Sequence, residues 1–222
     1  MNDHCKYKQY IWELPVRWCH WVNALSIVVL AVTGLLIGHP ALIGSSLGDY
    51  TMGWVRFVHF VFAYAFTVSV ISRVIWAFTG NCFAGWREYF PLAYPHGRER
   101  MLHMLRYYTF RTHDVPETVG HNPLAATVYF MVFLLYCAMI LTGFAMYAEY
   151  APGGVMHSLS KPMYALFTTQ QLHLWHHIGM WVIFGFVINH IYSAWLMDIK
   201  ERGSEISSMF SGFKFTVERR VT

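Results

Sequence analysis

The stretch LWHHIGMWVIFGFVINHIYSAWLM, Leu174–Met197, carries no formal charge. A helix that crosses a hydrocarbon core of roughly 30 Å needs about 20 predominantly apolar residues, so this stretch reads as a membrane span. Trp175 and Trp195 stand near its ends, where amphipathic indoles favour the membrane–water interface. Within it lie His176 and His190, 14 positions apart. At 100° per residue that spacing returns to within about 40° of the same face, roughly 21 Å further along the axis. Both histidines therefore look from one face of one helix at two depths. His177 is turned about 140° from His190, and His173 about 100°, so neither shares that face as well.

Three further stretches have the same character: Trp18–Gly38, Trp54–Phe78 and Leu124–Tyr147. Their only formal charges are Arg56 and Arg73, both near the ends of the second. Of the 222 residues, 56% are hydrophobic and 13% charged, against about 25% charged in soluble domains. The mean hydropathy is +0.36. This composition excludes a disordered chain, a nucleic-acid module and an ordinary cytosolic enzyme. Strand-like alternation is absent from the apolar stretches. The expectation is an all-α integral membrane protein, one domain over 1–222 built as a four-helix transmembrane bundle.

Orientation follows from Lys and Arg outside the spans. The N-terminal segment, the long loop 79–123 and the C-terminal tail hold most of them, whereas the loops 39–53 and 148–173 together hold only Lys161. Both termini are thus expected in the cytoplasm. The formal charge of +4 is an orientation signal rather than a binding patch. No small-residue cleavage site follows the first span, which reads as an uncleaved signal anchor. In the cytoplasmic loop, Glu99–Thr112 places Met101, Met104, Leu105 and Tyr108 at helical spacing among arginines, the pattern of an interfacial amphipathic helix. The outer loop 148–173 contains Pro and Gly and is almost uncharged, which suits a docking face. Thr33-Gly34 and Thr142-Gly143 recur late in the two outward-running spans and would allow close backbone approach.

Cys5, Cys19, Cys82 and Cys137 form no CxxC pair, so neither a zinc knuckle nor an iron–sulfur cluster is indicated. Cys19-His20 lacks a second cysteine at position 16, which is Val16; covalent c-type haem is excluded. The histidines carry the chemistry instead. His20, His59, His176, His177 and His190 fall within the spans, and an ionisable residue in the membrane is costly and by default functional. Alternating helix direction puts His59 and His176 near the outer surface and His20 and His190 near the inner one. Each pair can hold an iron between two imidazoles. With both axial positions filled by histidine, the expected role is electron transfer, with two non-covalent haems b stacked across the membrane. Arg56, one turn before His59 on the side poor in positive charge, is the candidate partner for a haem propionate.

The same residues resemble the b-type cytochrome subunit of membrane-bound nickel–iron uptake hydrogenases. The resemblance runs through Leu14-Pro15-Val16-Arg17-Trp18-Cys19-His20-Trp21 and Met52-Gly53-Trp54-Val55-Arg56-Phe57-Val58-His59. It continues in Gly120-His121-Asn122-Pro123-Leu124-Ala125, in Thr142-Gly143-Phe144-Ala145-Met146-Tyr147, and in His173-Leu174-Trp175-His176-His177-Ile178-Gly179-Met180-Trp181 up to His190. It implies a bacterial inner-membrane anchor for a periplasmic hydrogenase. Electrons would leave the iron–sulfur small subunit of the large, nickel–iron-bearing enzyme, enter the outer haem, cross to the inner haem and reduce quinone. The implied ligands are His20, His59, His176 and His190, the four already selected by phase and depth. His173 and His177 would stand beside the outer haem and not on iron. His121, just before the third span on the cytoplasmic side, can donate to a quinone carbonyl and relay a proton near neutral pH. Asn122 before Pro123 reads as a helix cap. Two other readings fit the bundle: the cytochrome subunit of a formate dehydrogenase or thiosulfate reductase, and a free-standing di-haem superoxide or quinone oxidoreductase.

Overall fold

The computed structural model describes residues 7–42, 50–90, 93–109, 111–112, 123–149, 152–201 and 204–216. Four long helices dominate: α1 (Leu14–Gly38), α2 (Thr51–Thr79), α4 (Pro123–Ala148) and α6 (Thr169–Glu201). All four are long and apolar enough to cross a membrane. At 1.5 Å per residue the shortest, α1 with 25 residues, reaches about 38 Å, more than the hydrocarbon core requires. Their flanks carry large exposed apolar side chains, among them Trp18, Val28, Val68, Leu141 and Ile191. Bilayer lipid is the solvent that such surfaces need.

Helix ends follow the local chemistry. Pro15, Pro95 and Pro123 each sit in the first turn of their helices, where a missing N–H costs nothing. α1 stops at Gly38, and Pro40 opens a 3₁₀ turn. α6 begins with a reciprocal cap: the Thr168 amide donates to Gln171 Oε1 at 2.9 Å, and the Gln171 amide donates to Thr168 Oγ1 at 3.3 Å. Two otherwise unpaired amide donors are thereby satisfied. This cap starts α6 five residues before the predicted start at Leu174.

Among the described residues there are also three shorter α-helices: α3 (Pro95–Tyr108), α5 (Val155–Leu166) and α7 (Glu205–Ser211). α3 is the predicted loop helix, shifted towards its proline start. Met101 and Met104 are buried as the spacing predicts, but Leu105 is exposed. α5 lies in the segment read from sequence only as an outer loop.

The chain divides into two compact units. One comprises 1–17, 74–135 and 185–222, the other 18–73 and 136–184. In the first, an early and a late segment of the chain meet. β1 (Tyr7–Tyr10) pairs antiparallel with β2 (Phe213–Thr216), Tyr7 opposite Thr216 and Tyr10 opposite Phe213. The Ile11 and Trp12 amides both donate to the Gly212 carbonyl, at 2.9 and 3.1 Å. Gly212 has φ +86°, and a Cβ there would fall 2.6 Å from the Tyr10 ring, so only glycine fits the turn. Trp12 Nε1 donates to Ser208 Oγ at 3.1 Å, and the Arg17 guanidinium donates to the Phe210 carbonyl. Lys214 pairs with Glu205. Beneath lies a small core of Ile11, Trp12, Val16, Phe83 and Ala84, with Trp76 and Met209 packed against it. Glu13 closes it by accepting from Trp76 Nε1 and the Asn81 amide, each at 2.8 Å. The predicted bundle is present; the two-stranded clasp is an addition to it.

In the second unit, contacts link the long helices pairwise into a ring. α2 meets α4 through Phe60 on Tyr147, with centroids 4.6 Å apart, and Tyr64 on Phe144 at 5.1 Å. Tyr164 of α5 donates its hydroxyl to the Ala145 carbonyl at 2.6 Å. Desolvation, then the nearby Glu149 carboxylate, hold this phenol above its ordinary pKa, so it keeps the proton it donates.

Candidate functional site

The site is built from two matched hydrogen bonds. Thr33 Oγ1 of α1 lies 2.8 Å from His59 Nδ1 of α2. Thr142 Oγ1 of α4 lies 2.9 Å from His176 Nδ1 of α6. Each threonine also bonds back to its own helix, to the Val29 carbonyl at 2.7 Å and the Ala138 carbonyl at 2.8 Å. A hydroxyl has one proton to give. When that proton goes to the carbonyl, the oxygen accepts and the imidazole Nδ1–H donates. The lone pair of each ring then resides on Nε2, the tautomer a metal ligand requires.

The glycine after each threonine leaves room for the ring. A Cβ on Gly34 would lie 3.5 Å from His59 Cε1, and one on Gly143 would lie 3.2 Å from His176 Cε1. The Thr-Gly echo, read from sequence as a route to close backbone approach, also supplies a hydrogen-bond acceptor for each histidine. The acceptor role was missed because it joins residues 26 and 34 positions apart. Its visible signal was the recurrence of the dipeptide in the two helices that lack an outer histidine of their own.

His177 behaves differently, as its helical phase predicts. Its Nδ1–H donates within α6 to the His173 carbonyl at 3.3 Å. Its Nε2 turns to α1, where a Cβ on Gly38 would meet it at 2.9 Å. The ring of helices is thus α1–α2 through Thr33 and His59, α2–α4 through the aromatic contacts, α4–α6 through Thr142 and His176, and α6–α1 through His177 and Gly38. His59 and His176 are brought to the same end of this unit.

The remaining predicted residues are placed separately. His20 packs edge-on to Trp21 at 5.1 Å, in the unit that contains His59 and His176. His190 belongs to the other unit, stacked on Phe186 at 5.5 Å and edge-on to Tyr129 at 5.8 Å. Arg56 is exposed near the start of α2. His121 and Asn122 lie outside the described residues. Cys19, Cys82 and Cys137 are free thiols.

The donor set suits haem. Two imidazoles, each anchored through Nδ1 to a threonine hydroxyl, are residues that could hold the iron of a b-type haem. Comparison with known proteins agrees. The family model for prokaryotic cytochrome b561 matches residues 11–212. The chain is 44% identical over 215 residues to a protein of Cupriavidus necator, covering 92% of this chain and 86% of that one. It is 43% identical over 208 residues to one of Bradyrhizobium diazoefficiens, covering 91% and 84%. Both relatives are named probable Ni/Fe-hydrogenase B-type cytochrome subunit. An Escherichia coli K12 protein, named probable Ni/Fe-hydrogenase 1 B-type cytochrome subunit, is 35% identical over 213 residues, covering 92% and 90%. Four apolar helices of spanning length and a match across nearly the whole chain lead to one conclusion: the chain belongs to the prokaryotic cytochrome b561 family of membrane b-type cytochromes.

Proposed function

We propose that this protein is the membrane anchor and electron-transfer subunit of a nickel–iron hydrogenase, working as one di-haem domain in the bacterial inner membrane. The observation that carries the reading is the matched pair of threonine-held histidines, His59 and His176, at one end of the ring of helices. These two would hold the outer haem, and helical phase and depth in the sequence support His20 and His190 as ligands of the inner one. Bound haem supplies reversible one-electron iron chemistry. The chain's own residues would set its place: the imidazoles would hold the iron, Gly143 leaves space for the His176 ring, and Arg56 would pair a propionate. Lys and Arg distribution supports cytoplasmic termini, which puts the outer pair on the periplasmic side. There it receives electrons from the small iron–sulfur subunit, itself joined to the large nickel–iron subunit. Electrons leave from the inner haem to quinone near His121. The names of the relatives support the hydrogenase partner over a formate dehydrogenase or thiosulfate reductase.

Purification of the full chain in mild detergent tests this. Nickel and iron–sulfur proteins should co-purify with it, and the complex should reduce quinone with hydrogen. A haem-only protein with its own quinone or superoxide activity would overturn the proposal.

A further inference from the structure

We propose that Thr33 and Thr142 are positioning residues that set the tautomer, the ring orientation and the ligand strength of His59 and His176, and so the potential of the outer haem. This rests on the reading of those histidines as axial ligands. Three observations carry it. The two threonines are 7% and 8% exposed, so water does not compete for the bonds. Each hydroxyl lies within hydrogen-bond distance of an i−4 carbonyl that can take its proton, which leaves the oxygen able to accept from its imidazole. The arrangement occurs twice, from α1 to α2 and from α4 to α6, with a glycine beside each ring. A donated Nδ1–H makes an imidazole more basic and favours the oxidised iron. A hydroxyl acceptor does this less than a carboxylate would, which leaves the outer haem easier to reduce and suits a centre that receives electrons.

The test uses the full chain in its purified complex, with Thr33→Val, Thr142→Val and the double variant, followed by haem content, low-temperature EPR of the low-spin iron and an optical redox titration. The expected result is an unchanged haem count, an upward shift in the midpoint of one haem, an additive shift in the double variant and a displaced low-spin EPR signal. Unmoved midpoint and EPR signal with haem retained would overturn the proposal. If valine costs the haem altogether, Thr33→Ser and Thr142→Ser decide: recovery of haem supports the hydroxyl role, and continued loss refutes it. His59→Ala and His176→Ala test the underlying ligand assignment separately, because each must remove one haem whatever the threonines do.

Discussion

A Cβ placed on Gly143 would stand 3.2 Å from Cε1 of His176, whereas one on Gly34 would stand 3.5 Å from Cε1 of His59. The first distance is tighter than ordinary contact and the second is ordinary contact. Thr142 holds the His176 ring by its Nδ1, so the ring cannot retreat without stretching that bond. Gly143→Ala should therefore cost about 1–3 kcal/mol as overpacking and tilt the ring, while Gly34→Ala should be nearly neutral. Thermal denaturation in detergent and the low-spin EPR signal should separate the two; equal effects would mean that the close approach at Gly143 is relieved elsewhere.

Replacing the histidines should divide them into two sets. His59→Ala or His176→Ala should remove one haem, and His20→Ala or His190→Ala the other. A pyridine haemochrome assay should fall from two haems per chain to one in each case. Loss of the inner haem should abolish hydrogen-dependent quinone reduction while an artificial dye is still reduced by the hydrogenase. One haem per chain in the unaltered protein would end the two-haem model.

The four spans were legible because the bilayer imposes a long, charge-free run on any helix that crosses it, and Leu174–Met197 shows this without help from the rest of the chain. The contacts of the histidines were half legible. Helical phase separated His176 from His177, and the structure sends them to different neighbours, Thr142 and Gly38. The hydroxyl bonds were not legible, because a threonine in an apolar helix normally bonds only to its own i−4 carbonyl and gives no outward sign of a second partner. The terminal clasp was hidden for a related reason. Tyr7–Tyr10 and Phe213–Thr216 are four-residue strands at opposite ends of the chain, too short to show alternation and stable only through each other. α5 was obscured by Gly154 and Pro162, which punctuate a helix of 12 residues.

Glu13 links the clasp to α2 and the segment after it. Its carboxylate accepts from both Trp76 Nε1 and the Asn81 amide, and Asn81 in turn donates to the Ile11 carbonyl at 3.0 Å. Glu13→Ala leaves two part-buried donors without their acceptor, at roughly 1–3 kcal/mol each. The expected outcome is faster amide exchange in Tyr7–Trp12 and Phe213–Thr216 and earlier proteolysis of the C-terminal segment. Unchanged exchange in both strands would show that the sheet and the buried Ile11 and Trp12 suffice without this carboxylate.

Trp12→Phe removes one donor and leaves the ring. Ser208 Oγ donates to the Glu205 carbonyl at 2.6 Å, so its proton is already placed and only the indole bond is lost. The expected cost is about 1 kcal/mol, smaller than for Glu13→Ala. A loss several-fold larger in the melting curve would assign the stability to indole packing over Val16 and Phe83 rather than to the hydrogen bond.

His121 offers a separation between binding haem and delivering electrons. It precedes Pro123, the first residue of α4, on the side that Lys and Arg distribution assigns to the cytoplasm. Quinone reduction takes up two protons as well as two electrons, and an imidazole can both donate to a carbonyl oxygen and be recharged from water. His121→Ala should leave both haems bound and hydrogen-dependent haem reduction intact, while steady-state quinone reduction slows by about 10²–10⁴-fold, the usual worth of a positioned general acid. His121→Gln should recover part of the quinone affinity, because its amide can still donate, without recovering the rate. Turnover unchanged in the alanine variant would make His121 a loop residue and move the quinone site elsewhere on the inner face.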